Sequence, residues 1–500
     1  MTPPSYRDRW DAIRRDAVNP DQLLRLSREI ANSFLDYYLK DCRYEEDYID
    51  LLCEMTTFSS DPEMNSPGTH ALFGTIVESL CDDFEELQTE TYNRVMAQVI
   101  SFCRRIPAGN ELDLRLREFA LNTREELIRR TGKIRTSTAS LKQGQSLKKI
   151  LILSRVTIGA DIAITSVIIQ RLHSLFPEAE IILMGGSKLE EVYGANPMLR
   201  FREVPYERKG GLLDRLASWH TVLEIIEDET GEFRQEEVVL IDPDSRFSQL
   251  GVLPLISSDR YYFFDSRSDT ALNRTMSMPE LTNDWISRLT GNKSFSYPRL
   301  WIPERYRQKA ASLCQSLRAG GAEKIIAVNF GVGGNARKRV SRRLEEKLLL
   351  ALLKEPDTMI LLDKGFGKEE TAYINSLIDD IQNQGHDTAH MNVTSEERCS
   401  VSHGVVGITS SIGEMAALIQ HCNEFLGYDS ACQHIAAAVQ IPCITIFAGS
   451  NNMRFIRRWS AHGPKPCDIV HVDTLTDRSM IDMDDIINRV MHLRQLRNVT

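Results

Sequence analysis

The sequence predicts an α/β protein with two tandem doubly wound parallel-sheet domains behind an all-α N-terminal domain. Three observations carry this expectation. Before about position 147 the apolar residues recur at helical spacing, and Val- and Ile-rich runs are scarce. After Lys148, short continuous apolar runs alternate with helical stretches. That alternation occurs twice, with a Gly- and charge-bearing break between the two series near Ala311–Glu323.

In the N-terminal part, Leu23, Leu26, Ile30, Phe34 and Tyr37 follow at three- and four-residue steps after the Asn19-Pro20 start signal. Leu72 to Arg104 and Glu111 to Arg130 read as further helices. The next stretch, GKIRTSTASLKQGQSLKK, is poor in apolar residues and reads as a linker. The first α/β series offers strands at Lys149–Ser154, Glu180–Met184, Val238–Asp242 and Tyr261–Phe264. The second offers Lys324–Phe330, Thr358–Leu362, Glu424–Gly427 and Cys443–Phe447. Runs of this kind suit strands covered on both faces. Helices are expected at Ile162–Phe176, Arg343–Lys354 and Ile412–His421, and a closing helix over Asp477–Asn498. The predicted division is a helical domain over 1–132, a linker over 133–147, α/β domains over 148–315 and 316–475, and a C-terminal helix within 476–500.

Composition narrows the function. The 500 residues exceed one typical domain, and 42% hydrophobic with 26% charged residues is ordinary for a globular chain. A net charge of −10 argues against nucleic acid as the main partner, while leaving room for a local basic patch around a phosphorylated ligand. The N-terminus MTPPSYRDRWDAIRRD has no apolar signal region, and no apolar run reaches bilayer length. The expected location is the cytoplasm, with at most peripheral membrane contact. Ten cysteines without CxxC spacing read as buried thiols in a reducing compartment rather than a metal site.

Three constellations bear chemistry. In KILILSRVTIGADIAITSVIIQRLHSLFPEAEI, Asp161 follows the carboxyl end of a strand and opens a helix. Ligands of open α/β sheets bind outside those strand ends, so Asp161 either faces a cleft or serves as a helix cap. In IIAVNFGVGGNARKRVSRRLEEK, a strand runs into Gly331, Gly333 and Gly334, followed by Arg337, Lys338 and Arg339. Glycines let a backbone approach an anion, and helix N-termini attract phosphate. A glycine turn with a solvated basic face is the alternative, because neither Walker A nor a complete G-x-G-x-x-G spacing is present. In NEFLGYDSACQHIAAAVQIPCITIFAGS, Tyr428–Asp429–Ser430 lead into a small-residue helix bearing His434. There, Asp429 is a cap or a ligand contact, and His434 is a satisfied helix histidine or a site residue.

Together these stretches resemble glycosyltransferase family 9, the ADP-heptose:lipopolysaccharide heptosyltransferases. GADIAITSVIIQRLHSLFPEAEI resembles the family's first motif, and VVLIDPDSRFSQLGVLPLI its following strand segment. GITSSIGEMAALIQHCNEFLGYDSACQHIAAAVQIPCITIFAGS resembles its long late signature. The resemblance covers about two-thirds of the chain, from Lys148 onward. It implies a GT-B fold, two Rossmann-like domains facing a cleft, and transfer of a heptose-like sugar from a nucleotide diphosphate to a hydroxyl acceptor. Asp161 is implied as the general base. Lys338 is implied on the donor phosphates, Asp429 near the donor sugar, and Ser430 and His434 along the same site. Glu369 or Glu370 is implied at the nucleotide ribose, and an ADP-sugar is the implied donor. Gly331, Gly333, Gly334 and Arg339 complete the donor loop, and Arg246 is a candidate acceptor contact set against a plain surface arginine.

No D-x-D cluster stands beside the donor loop, so no metal and no further cofactor are expected; the resemblance implies an inverting transfer. The implied acceptor is a lipopolysaccharide core, another surface glycan or a protein. The helical domain is extra to the family core, and it serves acceptor recognition, homo-oligomer contacts or scaffolding alone. Four positions depart from the family pattern. Ala160 is inserted before Asp161, Val340 follows the Lys-Arg pair, Ala431 replaces a glycine, and the last turn reads Phe447–Ala448–Gly449–Ser450. They keep two other readings open: a nucleotide-sugar-binding protein without transfer, and a GT-B-type sugar-nucleotide epimerase.

Overall fold

The computed structural model describes residues 5–15, 19–81, 84–142, 144–207, 210–268, 275–393 and 401–499. Cys399 lies outside the described residues. Two parallel sheets organise the chain. The first has five strands: β1 (Lys149–Leu153), β2 (Glu180–Gly185), β3 (Leu199–Glu203), β4 (Val238–Asp242) and β5 (Tyr261–Phe263). They lie in the order β3-β2-β1-β4-β5. The second has seven: β6 (Lys324–Asn329), β7 (Thr358–Asp363), β8 (Thr388–Asn392), β9 (Gly404–Thr409), β10 (Glu424–Tyr428), β11 (Cys443–Phe447) and β12 (Cys467–His471). Their order is β12-β11-β10-β6-β7-β9-β8. Every strand pair is parallel, with β1 between β2 and β4 and β6 between β7 and β10. The chain therefore folds as two doubly wound α/β units preceded by a helical region.

Of the strands beyond the eight read from sequence, β3, β8 and β12 are sheet edges. LRFRE and TAHMN carry polar residues on faces that an edge leaves partly exposed, so the apolar-run signal fades. The internal strand β9, GVVGIT, is short and glycine-bearing.

Several expected helices are divided. Leu72–Arg104 holds a π-helical stretch, His70–Val77, and a separate helix, Glu86–Cys103. Glu111–Arg130 breaks into Asn110–Glu118 and Arg124–Arg135, the second opened by a capping box between Thr123 and Glu126. The stretch read as a linker is helical to Arg135, and farther on Leu141 and Leu147 are buried, with the Leu141 N–H donating to the Leu289 carbonyl. The break expected over Ala311–Glu323 is helical through Ala319, in Glu304–Ala319, whose Ala310, Leu313, Cys314 and Leu317 pack into the second unit. Arg318 there donates to the His421 carbonyl. The closing helix starts at Met483 rather than Asp477, after a 3-10 turn at Arg478–Met480. Its Arg494 pairs with Glu424 at the start of β10 and with Glu355 in the turn before β7.

The helical region is not an independent body. One apolar cluster runs from Trp10, Leu52 and Ile100 through Leu151, Met184 and Leu240 to Trp219 and Phe263. The helices thus share a core with one face of the first sheet. Charged contacts reinforce the join: Arg115 makes two hydrogen bonds to Glu227, and Arg130 donates to the Gly251 carbonyl.

Candidate active site

The first half of the site forms where β1 ends. The chain leaves Leu153 through Ser154, Arg155 and Val156, then enters a helical run at Ile158. Asp161–Thr165 is wound as a π-helix. Such a turn holds about one residue more than an α-turn and is frequent at functional sites. Asp161 has helical backbone angles, so it is not a cap. Its carboxylate instead accepts from Ser154 Oγ (2.7 Å), the Arg155 N–H (2.8 Å) and Thr165 Oγ1 (2.8 Å). The residue is 1% exposed. Burial pushes its pKa up to about 6, against the pull of those three donors.

Beside it lies a charge cluster that no sequence motif announced. Asp244 accepts two bonds from Arg267 (both 3.1 Å) and one from Ser266 Oγ, and stands 3.5 Å from Arg155. Burial would raise the Asp244 carboxyl, but Arg267, Arg155 and Arg135 outweigh it and hold it below its usual range. Asp242, at the end of β4, is pushed up to about 6 by burial. Arg246 is half-buried and lies in the field of this cluster, near Arg155 and Tyr92. Tyr92, from the helical region, sits under the Arg267 guanidinium at 5.0 Å. The signal that could have found the cluster is the repeated polar spacing of DPDSR and DSRSD just past two strand ends.

The second half is built on β6, β7, β10 and β11. After β6 the chain turns through Gly333 (φ 59°) and Gly334 (φ 81°), angles that a side chain disfavours. Nothing lies within 4 Å of a Cβ built on either, so this turn faces open space. Asn335 caps the short turn Ala336–Lys338. Lys338 Nζ then donates to Asp429 Oδ2 at 2.6 Å. The other Asp429 oxygen accepts from Gln433 Nε2 at 2.6 Å, and Gln433 accepts from Thr445 Oγ1. Ser430 Oγ donates to Asn329 Oδ1 (3.1 Å), and Asn329 Nδ2 donates to Asp363 Oδ2 (2.7 Å). Gly449 (φ 79°) seals the back of the loop, because a Cβ there would lie 2.7 Å from the Arg337 carbonyl.

Arg339 turns away from Lys338. Its guanidinium lies 3.9 Å from the Tyr373 ring centre, donates to the Phe330 carbonyl and pairs with buried Glu345. Glu370 accepts from the N–H groups of Val332 and Phe366, which ties it to the glycine turn, and a Gly331 Cβ would lie 3.5 Å from it. Glu369 is exposed. His434 is 4% exposed, with Nδ1 lacking a hydrogen-bond partner. Burial lowers its pKa to about 4, so the ring is neutral at neutral pH.

The halves meet directly. The turn before Asp161 abuts the helix Ala431–Ala438 at Gly159. The Gly413 N–H donates to Glu191 (3.0 Å), and Lys188 Nζ stands 4.0 Å from the ring centre of exposed Phe366. The helix Met453–Trp459 completes the seam: Arg458 donates to the Ser266 and Ser268 carbonyls and lies 4.6 Å over Phe84 of the helical region. Asp161, Lys338, Asp429, Ser430 and His434 are thus gathered around one seam, with Arg246 in the adjoining cluster and Arg339 outside it.

Comparison with known proteins agrees in the second unit. Residues 385–464 match the sequence model of glycosyltransferase family 9 (heptosyltransferase). A 47-residue stretch is 49% identical to lipopolysaccharide heptosyltransferase 3 of Escherichia coli, covering 9% of this chain and 14% of that protein. The chain is also similar to the glycosyltransferase family 9 structure from Veillonella parvula DSM 2008 (16% identity, 69% of this chain, 97% of that chain, TM-score 0.48). A further similarity is to E. coli heptosyltransferase WaaC with ADP (13% identity, 69% and 99% covered, TM-score 0.48). The matched segment, 385–464, carries Asp429, Ser430 and His434.

Proposed function

We propose that this chain is a glycosyltransferase that moves a heptose-like sugar from a nucleotide diphosphate, an ADP-sugar, to a hydroxyl of a glycan acceptor. The observation that carries the reading is the Lys338–Asp429 ion pair, which joins the glycine turn to the family-matched segment. A diphosphate leaving group needs fixed positive charge where its own charge develops. Lys338 and the amides at the start of the helix Ala431–Ala438 supply it without a metal ion. On the other wall, a carboxyl with a pKa of about 6 is suited to take a hydroxyl proton at neutral pH. A base opposite the leaving group gives inversion at the transferred carbon. Transfer requires the Gly159–Ala431 contact to part, since Asp161 is enclosed behind it.

The acceptor class that fits the family segment is a lipopolysaccharide core or a related surface glycan, modified in the cytoplasm. The helical region's shared core with the first sheet supports a scaffolding role for it. The enclosure of Asp161 favours one second reading, a nucleotide-sugar binder without transfer. Thermal-shift screening against ADP-, GDP- and UDP-sugars tests donor binding, because a specific ligand raises apparent stability by mass action. Nucleotide release on adding a lipopolysaccharide-core acceptor supports the transferase; tight donor binding with no release in any acceptor supports the binder. No response to any nucleotide-sugar overturns both.

A further inference from the structure

Cys443 begins β11 and Cys467 begins β12, and the two are register partners on adjacent parallel strands. Paired residues of parallel neighbours point to the same side of a sheet. Cys467 Sγ donates to the Lys465 carbonyl at 3.4 Å, beside its register partner Cys443. The spacing of neighbouring strands, ~4.8 Å, lies within the Cα separation that a disulfide tolerates. Cys443 is fully buried, while Cys467 is partly open at the sheet edge.

The surroundings divide the chemistry between the two sulfurs. The Arg497 guanidinium donates to the Cys443 carbonyl and to Asp468, which places fixed positive charge next to the pair. The neighbouring Cys443 thiol, the Arg497 charge and the Gly463 N–H draw the Cys467 thiol down, against burial and the Asp468 carboxylate. The Cys467 neighbour and burial push Cys443 up. A thiolate beside a cation and open to solvent is the form that oxidants attack. By contrast, the other neighbouring thiols, Cys53 with Cys103 and Cys314 with Cys422, are all buried and raised by burial.

We propose that Cys443 and Cys467 form a reversible oxidation site, with peroxide as the oxidant, Cys467 as the attacking thiolate and Cys443 as the resolving thiol. The Cys467 sulfur attacks one peroxide oxygen, the O–O bond breaks, hydroxide leaves and a sulfenic acid forms. The Cys443 sulfur then displaces that hydroxyl, losing its proton, and the products are a disulfide and water. A dithiol reverses the step by exchange. The crosslink ties the edge strand β12 to β11. At the far end of that pair the Val472 N–H donates to the Phe447 carbonyl, immediately before the turn at Gly449 that backs Lys338.

The full-length protein, titrated with hydrogen peroxide and mapped by mass spectrometry without reduction, tests this. The expected result is loss of two hydrogens, a Cys443–Cys467 crosslinked peptide, and a melting temperature that rises on oxidation and returns with dithiothreitol. Cys443→Ala is expected to leave a sulfenic acid that dimedone traps at Cys467, and Cys467→Ala to leave Cys443 unmodified. Circular dichroism melts establish that both variants are folded. Crosslinks elsewhere in place of this one, peroxide-inert Cys467 in folded protein, or equal trapping at both cysteines overturns the proposal.

Discussion

Gly159 and His434 touch across the seam: a Cβ built on Gly159 would lie 3.3 Å from His434 Cδ2 and 3.2 Å from the Ala431 Cα. The two α/β units therefore meet here with no side chain on Gly159 to separate them, two residues before Asp161. Gly159→Val is expected to force the seam apart while leaving each core intact. The expected outcome is a loss of turnover of at least about tenfold, with a loss of stability of ~1–3 kcal/mol. Steady-state transfer kinetics beside urea melts check it; unchanged turnover removes this contact from the catalytic cycle.

Asp161→Asn preserves the shape of the group and removes its basicity. The expected loss in transfer is ~10²–10⁴-fold with donor affinity nearly unchanged. In the parent protein, transfer falls as pH drops through about 6, where the carboxyl takes up a proton. A pH–rate profile of kcat/KM measures both.

Lys338→Ala leaves Asp429 with its Gln433 bond alone. Donor binding is expected to weaken by about tenfold or more, a cost of ~1.4 kcal/mol. Stability falls as well, by ~1–3 kcal/mol, because a nearly buried carboxylate loses its cation. Adding Asp429→Asn is expected to recover most of the stability and none of the donor affinity. Calorimetric titration with an ADP-sugar, together with melts of the single and double variants, separates the two effects.

Glu345 is buried beneath Arg339, with Tyr373 donating to it, and burial raises its pKa from 4.5 to about 7. Between those values the folded protein holds a proton that the unfolded chain has released, so this group's contribution to stability falls as pH rises from about 4.5 to 7. Glu345→Gln is expected to flatten the stability–pH curve over that window by ~2–3 kcal/mol. Denaturant melts at a series of pH values report it; parallel curves for the two proteins would falsify the assignment.

Arg458 is fully buried and spends two N–H groups on carbonyls of the first unit while covering Phe84. Arg458→Ala is expected to cost ~2–4 kcal/mol. Phe84→Ala is expected to cost less once Arg458 is gone, with a coupling of at least ~0.5 kcal/mol in a double-mutant cycle.

Much of this was legible in sequence because β1, β4, β6 and β11 are short, mostly apolar runs that are almost wholly buried, the pattern of strands covered on both faces. Edge strands such as β3 and β8 mix charged or polar residues into the run and escaped. Among site residues, Lys338 and Asp429 sit in local turns whose composition announces them. Arg267 and Asp244 are 23 positions apart, and their pairing exists only because β4 and β5 lie side by side. Arg339 follows Lys338 in sequence, but successive residues of an extended segment point opposite ways. Its backbone is extended, so one cation meets Asp429 and the other Tyr373.

The common core of the helices and the first sheet also governs how this protein can be handled. Cutting the chain between Arg135 and Lys149 would not release two soluble pieces. It would strip a lid from Leu151, Met184, Leu240 and Phe263 and leave a greasy plane on the remaining fragment. Such a plane favours self-association in proportion to its area, so the N-terminal quarter is the cover that keeps its own sheet from sticking to another.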